Sequence, residues 1–440
     1  MPLRVTFTLL GLIVFSLGAS RPLLAQQWPQ WRGPQRDGVL RHRFDFDKFP
    51  EDGLEVLWKK SIGPGYTSPT IADDRVFVMD RITDPEQQER VVCYDAISGA
   101  QLWEHSYPCK YVGIGYQAGP RASVTVDGSR AYSLGAMGHL ICFDVGGAVL
   151  WEKDLDSDYQ ITKNRRMPIW GIAAAPLVYD DLVIVQPGAE DACLVAFDKK
   201  SGEEVWRALN DRAQYSSPIL IQQNQQDVVV IWTGDSVAGL DPTNGHVHWR
   251  FPFSPKNMPI GVATPIVRDN RLYVTSFYDG SLMLKLAQDR IAVEKDWMIV
   301  GTNENRTDAL HSIISTPVWI DRHIYGVDSY GEFRCLNADS GERVWEDQTA
   351  VPKARWSTVH FVQFPDENSS RVWMFNERGE LILGELSPEG FRELDRCLLI
   401  KPTRKQLNQR GGVCWTHPAF TRDMIIVRND EEIICYRLED

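Results

Sequence analysis

Short apolar runs, each closed by a polar turn, recur from about residue 54 to the end of the chain. Val91-Val92-Cys93-Tyr94-Asp95, Leu140-Ile141-Cys142-Phe143-Asp144, Phe333-Arg334-Cys335-Leu336-Asn337 and Ile433-Ile434-Cys435-Tyr436 share one pattern. Runs this short, rich in β-branched and aromatic residues, predict strands. They belong to a larger unit. It opens with a small residue and Pro, continues through two strands to a third ending in Asp or Asn, turns at Gly, and closes a fourth strand with Trp. The last part is clearest from Asp95 to Trp103, Asp198 to Trp206, Asp241 to Trp249 and Asn337 to Trp345. The Asp or Asn side chain can bond its own backbone along the turn, and Gly supplies the positive φ that closes the hairpin.

The closing aromatics are Trp58, Trp103, Trp151, Trp206, Trp249, Trp297 and Trp345, spaced 43 to 55 residues apart. Four strands at a period of about 40–50 residues predict a β-propeller. A seventh unit, from Arg371 to Leu394, ends in Leu, and an eighth, from His417 to Leu438, has only three strands. The segment Leu54–Lys59 supplies the missing one. The expected fold is therefore all-β: an eight-bladed propeller over 54–440, closed by the N-terminal strand, with the repeated Trp packed between blades. Cys93, Cys142, Cys335 and Cys435 read as buried thiols in third strands. Cys109, Cys193, Cys397 and Cys414 fit no pattern, leaving room for one disulfide among them.

Residues 26–53 form a lead-in. Ahead of it, Arg4 precedes an apolar run from Val5 to Ala19, the size of a signal-peptide core and short for a membrane span. Residues 1–25 are therefore expected to be a signal peptide, and the chain periplasmic or secreted. Losing Arg4 and Arg21 would take the net charge from −12 to −14. So acidic a chain excludes nucleic acid as a partner class.

One face can still be basic. The loops entering the eight first strands carry 20 Lys/Arg against 11 Asp/Glu, a net of +9. The residues entering those strands are Ser68, Ser123, Ala175, Ser217, Thr264, Thr316, Thr358 and His417; all but His417 are small. Two positions earlier, on the same side by strand alternation, stand Tyr66, Arg121, Ala173, Tyr215, Val262, Ile314, Trp356 and Trp415. Further out lie Trp170, Arg212, His311, Lys353, Arg355 and Arg410. Arg121, Trp170, His311, Arg355, Trp356, Arg410 and His417 are the candidate ligand-binding residues of a basic axial funnel. The competing reading pairs these cations with acidic loops on the same face, such as Asp235, Asp328, Glu377 and Asp430. No nucleophile motif is present, no catalytic residue is assigned, and His246 and His248 read as solvated strand residues rather than metal ligands.

The repeated D-A-x-[ST]-G-x-x-[LV]-W unit resembles the pyrroloquinoline-quinone-like (PQQ-like) β-propeller superfamily. That superfamily includes quinoprotein dehydrogenases and BamB, the propeller lipoprotein of outer-membrane β-barrel assembly. The resemblance covers roughly Leu54 to Leu438. The lead-in Trp28-Pro29-Gln30-Trp31-Arg32-Gly33-Pro34 is similar to the start of many secreted bacterial members without assigned activity. The resemblance implies a non-catalytic propeller binding a protein or an anionic small molecule. It would associate with the cell envelope without a lipid anchor, because the first Cys is Cys93. The alternative it implies is a dehydrogenase using PQQ with calcium. The adjacent Cys pair of many such enzymes is missing, so no cofactor is expected.

Overall fold

Third strands take the most apolar runs because neighbouring blades cover both their faces: Val91, Val92 and Cys93 are fully buried. Fourth strands alternate instead. In Glu204–Ala208 only Trp206 is buried at the centre, between exposed Val205 and Arg207. Strands of these two kinds build the computed structural model, which describes residues 27–42, 48–364 and 370–438. They assemble into eight four-stranded antiparallel sheets. Seven blades are continuous in sequence: blade 1 spans 70–108, blade 2 125–154, blade 3 177–208, blade 4 219–252, blade 5 266–299, blade 6 318–347 and blade 7 359–398. Blade 8 takes three strands from 419–437 and its fourth from Val56–Ser61. Lys59 pairs with Ile434 and Ser61 with Glu432. The closing strand thus lies two residues later than Leu54–Lys59. The expected signal peptide lies outside the described residues.

The blade-end Trp side chains stitch each blade to the next. The indole N–H of Trp58 donates to the Ala96 carbonyl at 2.7 Å, Trp206 to Pro242 at 3.0 Å, and Trp297 to Ala338 at 2.9 Å. Trp103, Trp151 and Trp345 make the same kind of bond. Trp249 instead donates to the Gln223 side chain of its own blade, whose amide in turn donates to the Ala292 carbonyl of blade 5 at 2.7 Å. The turn glycine completes the contact: a Cβ on Gly245, at φ +73°, would lie 2.6 Å from the ring of Trp206. One repeat's glycine is therefore fixed by the previous repeat's tryptophan, which explains why the two recur together. The turn carboxylates act as expected, Asp95 accepting from the Ser98 amide at 2.7 Å. All eight cysteines are free thiols, and Cys93, Cys142, Cys335 and Cys435 are buried in third strands.

The lead-in is not a separate arm. Residues 27–42 run into the axis and touch seven blades. Trp28 exchanges backbone hydrogen bonds with Ile71 of blade 1, and the Pro29 carbonyl accepts from Val126 of blade 2. Arg36 donates to the carbonyls of Ala175 and Pro176 in blade 3 and Pro218 in blade 4. The Trp31 indole donates to Thr264 at the start of blade 5 at 2.9 Å. Leu40 and Gly38 bond Gln363 of blade 7, and Trp28 stacks on His417 of blade 8. The axial channel is plugged by the chain's own N-terminal segment.

Candidate functional site

Above the plug the axis opens into a cavity of about 110 Å³. All eight residues at the second position before the small ring line it: Tyr66, Arg121, Ala173, Tyr215, Val262, Ile314, Trp356 and Trp415. One comes from each entry loop, as strand alternation predicts, although Trp356 reaches the cavity from a left-handed backbone at φ 67°. Ser123, Ala175, Ser217 and Trp31 form the floor, and Tyr116, Trp170 and Ile313 complete the walls. Trp170 stacks on Tyr215 with ring centres 4.9 Å apart, and its amide donates to the Tyr215 hydroxyl. Tyr116, in the left-handed region at φ 51°, meets Trp170 and Trp356 edge-on at 5.7 and 5.6 Å. Such edge-on and offset contacts are the favoured packing of aromatic quadrupoles.

Among the described residues, Arg121 is the only charged group in this lining. Its guanidinium donates to the carbonyls of Gly115 at 2.9 Å, Gly119 at 3.0 Å and Tyr116, and lies 4.8 Å from the Tyr66 ring centre. No carboxylate pairs with it among the described residues. Carbonyl dipoles orient the group but leave its net charge uncancelled.

The other candidates are placed differently. Trp170 and Trp356 line the cavity with Arg121. Arg355 and Arg410 sit at the rim, each committed to an acid. Arg355 meets Glu304 at 2.9 and 3.0 Å, and Arg410 meets Glu377 at 3.3 Å. Burial pushes the Glu377 carboxyl up, against the opposing pull of Arg410. Arg212 pairs with Asp235 and Lys353 with Glu332. The cavity itself is thus lined by aromatic and apolar groups around one cation, while the rim cations Arg212, Lys353, Arg355 and Arg410 each meet an acid from another loop. His311 is corrected: it is fully buried, its Nδ1 donating to the Phe277 carbonyl and its Nε2 accepting from the Gly301 amide, both at 3.0 Å. That neutral ring is structural. His417 points into the channel as its position requires, but beneath the cavity floor. It packs against Trp28, Trp31 and His360, and its Nδ1 donates to the Pro418 carbonyl at 2.7 Å. Burial, then neighbouring His360 and Arg32, hold it well below the usual histidine range.

Sequence reasoning missed Trp31 and Tyr116. Trp31 sits in a lead-in with no periodic strand pattern to place it. Tyr116 lies mid-loop, where alternation gives no direction.

An eight-bladed ring with this repeat and a plugged, aromatic axial mouth defines a PQQ-like propeller. The family model described as outer membrane protein assembly factor BamB matches residues 87–347, and the chain belongs to that family. Among solved structures it is similar to BamB from Moraxella catarrhalis, with a TM-score of 0.58 and 18% identity over 88% of this chain and 98% of that one. It is also similar to quinohemoprotein alcohol dehydrogenase from Comamonas testosteroni, with a TM-score of 0.61 and 11% identity over 94% and 80%. A search of curated protein sequences gives no match. At these identities the structural likeness shows the fold.

The fold relatives raise a quinone cofactor, which the lining tests directly. PQQ is a fused three-ring tricarboxylate held with calcium. Among the described residues the cavity offers one guanidinium and no carboxylate or amide side chain for the metal, within about 110 Å³. The residues present do not fit that group.

Proposed function

We propose that this chain is a binding propeller rather than an oxidoreductase, and that its axial pocket takes a single flat or apolar group bearing one negative charge. The observation that carries this reading is Arg121, an uncompensated cation in an otherwise uncharged aromatic lining. A guanidinium screened from water by rings attracts a carboxylate more strongly than one on open surface, and the rings add stacking area. The volume, below the roughly 150 Å³ of an apolar cavity that holds benzene, limits the pocket to no more than one aromatic ring. The ligand is either a free aromatic acid or the acidic, aromatic end of a protein partner. Kinship with an assembly factor supports the protein form and a place in the cell envelope. The apolar run Val5–Ala19 supports export to the periplasm or beyond.

Tryptophan fluorescence tests this, because Trp31, Trp170, Trp356 and Trp415 surround the pocket. Phenylacetate should quench saturably and lose affinity as salt rises. Phenethylamine, with the opposite charge, should not bind. Equal quenching by both, or by neither, would sink the reading.

A further inference from the structure

Glu89, Cys109 and His139 meet where blade 1 packs against blade 2, away from the axial cavity. Their ligand atoms all lie within 4.8 Å of one another, with Cys109 Sγ 3.9 Å from His139 Nδ1. Glu89 is fully buried, Cys109 nearly so, and His139 is half-buried at the start of its strand, which leaves a route from solvent.

The carboxylate is held as a ligand would be. Tyr107 donates to Glu89 Oε2 at 2.6 Å, while the Tyr111 hydroxyl and the Ala136 amide donate to Oε1. Gly135 makes room for it: a Cβ there would lie 2.1 Å from Glu89 Oε2. Hydrogen-bonded support of this kind orients the ligands of metal sites. Yet among the described residues no cation pairs with Glu89. Nearby Arg81 lies over the Tyr111 ring at 3.8 Å and gives its Nη atoms to Gln117 and Gln87. A fully buried carboxylate without a positive partner is costly.

The geometry points to a zinc-class divalent cation bound by Cys109 Sγ, His139 Nδ1 and Glu89 Oε2. A thiolate, an imidazole and a carboxylate form a mixed donor set suited to a borderline-soft ion. A dication with one thiolate and one carboxylate is neutral overall, which removes the buried charge imbalance. Without metal, burial and the adjacent Glu89 push the Cys109 thiol up, so it keeps its proton. Binding transfers that proton to solvent as the sulfur–metal bond forms. Bonding distances of about 2.0–2.3 Å require the three atoms to draw together modestly, and the fourth position remains for water.

Cobalt(II) is the probe, because its thiolate charge-transfer absorption reports sulfur ligation. Full-length protein stripped with chelator should bind one cobalt per chain and show that band, and zinc should abolish it by displacement. Cys109→Ser should lose the band, whereas Cys414→Ser keeps it. Tyr107→Phe, which frees one lone pair of Glu89, should weaken binding roughly tenfold. If Cys109→Ser does not fold, His139→Asn at its half-exposed position reads the same site and should weaken binding at least as much. No band with the native chain, or a band that survives loss of Cys109, overturns the assignment.

Discussion

Arg121 and Arg410 both enter the axial mouth on entry loops, from blades 2 and 8, and both are half-buried. Arg410 donates to the Arg355 carbonyl at 2.9 Å and to Glu377, which also accepts from the Trp415 indole. Arg121 finds only carbonyls of its own loop. Arg410 is therefore spent on holding blades 7 and 8 together, and Arg121 still presents its charge. What decides between structural and binding roles is not the arginine but whether a neighbouring loop brings an acid to it.

The largest expected effect breaks the neutralised half. Glu377→Ala removes the acceptor of both Arg410 and the Trp415 indole and should cost roughly 3–5 kcal/mol in chemical denaturation. A loss below about 0.5 kcal/mol would show that the acid does not hold that side of the mouth.

Acid should act on the same half. His360 donates to the Trp415 carbonyl at 2.9 Å, and burial brings its pKa down to about 4. The folded protein thus refuses a proton that the unfolded chain accepts near pH 6.5. The stability it gives is intact above that pH and is lost as pH falls toward 4, about 3 kcal/mol or a little more in all. His417 acts in the same direction. His360→Gln should flatten this part of the stability profile, and an unchanged profile would mean the ring takes up protons alike in the folded and unfolded chain.

The smallest stability effects should carry the sharpest contrast in binding. Arg121→Ala should cost no more than about 2 kcal/mol, since it gives up charge-assisted hydrogen bonds to carbonyls of its own half-buried loop and no ion pair, yet reduce phenylacetate affinity at least about tenfold. Arg355→Ala, an exposed pair with Glu304, should cost under about 1 kcal/mol and leave affinity within about twofold. Equal losses of binding in the two variants would return the mouth to a diffuse basic funnel.

The blades were legible because each repeat writes its contact twice, as a Trp in one unit and a Gly in the next. The ring of eight lining residues was legible because alternation fixes direction over two positions. Beyond that the signal fails for physical reasons. The acid that neutralises Arg410 comes from a different loop, 33 residues away in sequence, and Glu304 lies 51 residues from Arg355. Net charge per loop cannot register such pairing. His311 looked like a mouth residue by position, but its loop turns inward to satisfy two backbone groups. The lead-in has no period, so nothing in it announced that Trp31 would become the floor.

Placing residues 27–42 in the axis and Val56–Ser61 in the last blade makes the earliest-synthesised described segments depend on the latest. Lys59 waits for Ile434, and Trp28 for His417. Seven blades can form from neighbouring sequence as the chain emerges. Closure of the ring instead joins partners about as distant as the chain allows, which makes it the high-contact-order step. Until then, blade 8 lacks its outer strand and exposes an unpaired edge. The slow and aggregation-prone stage of folding should therefore follow the emergence of the blade 8 strands, and be one of ring closure rather than blade formation.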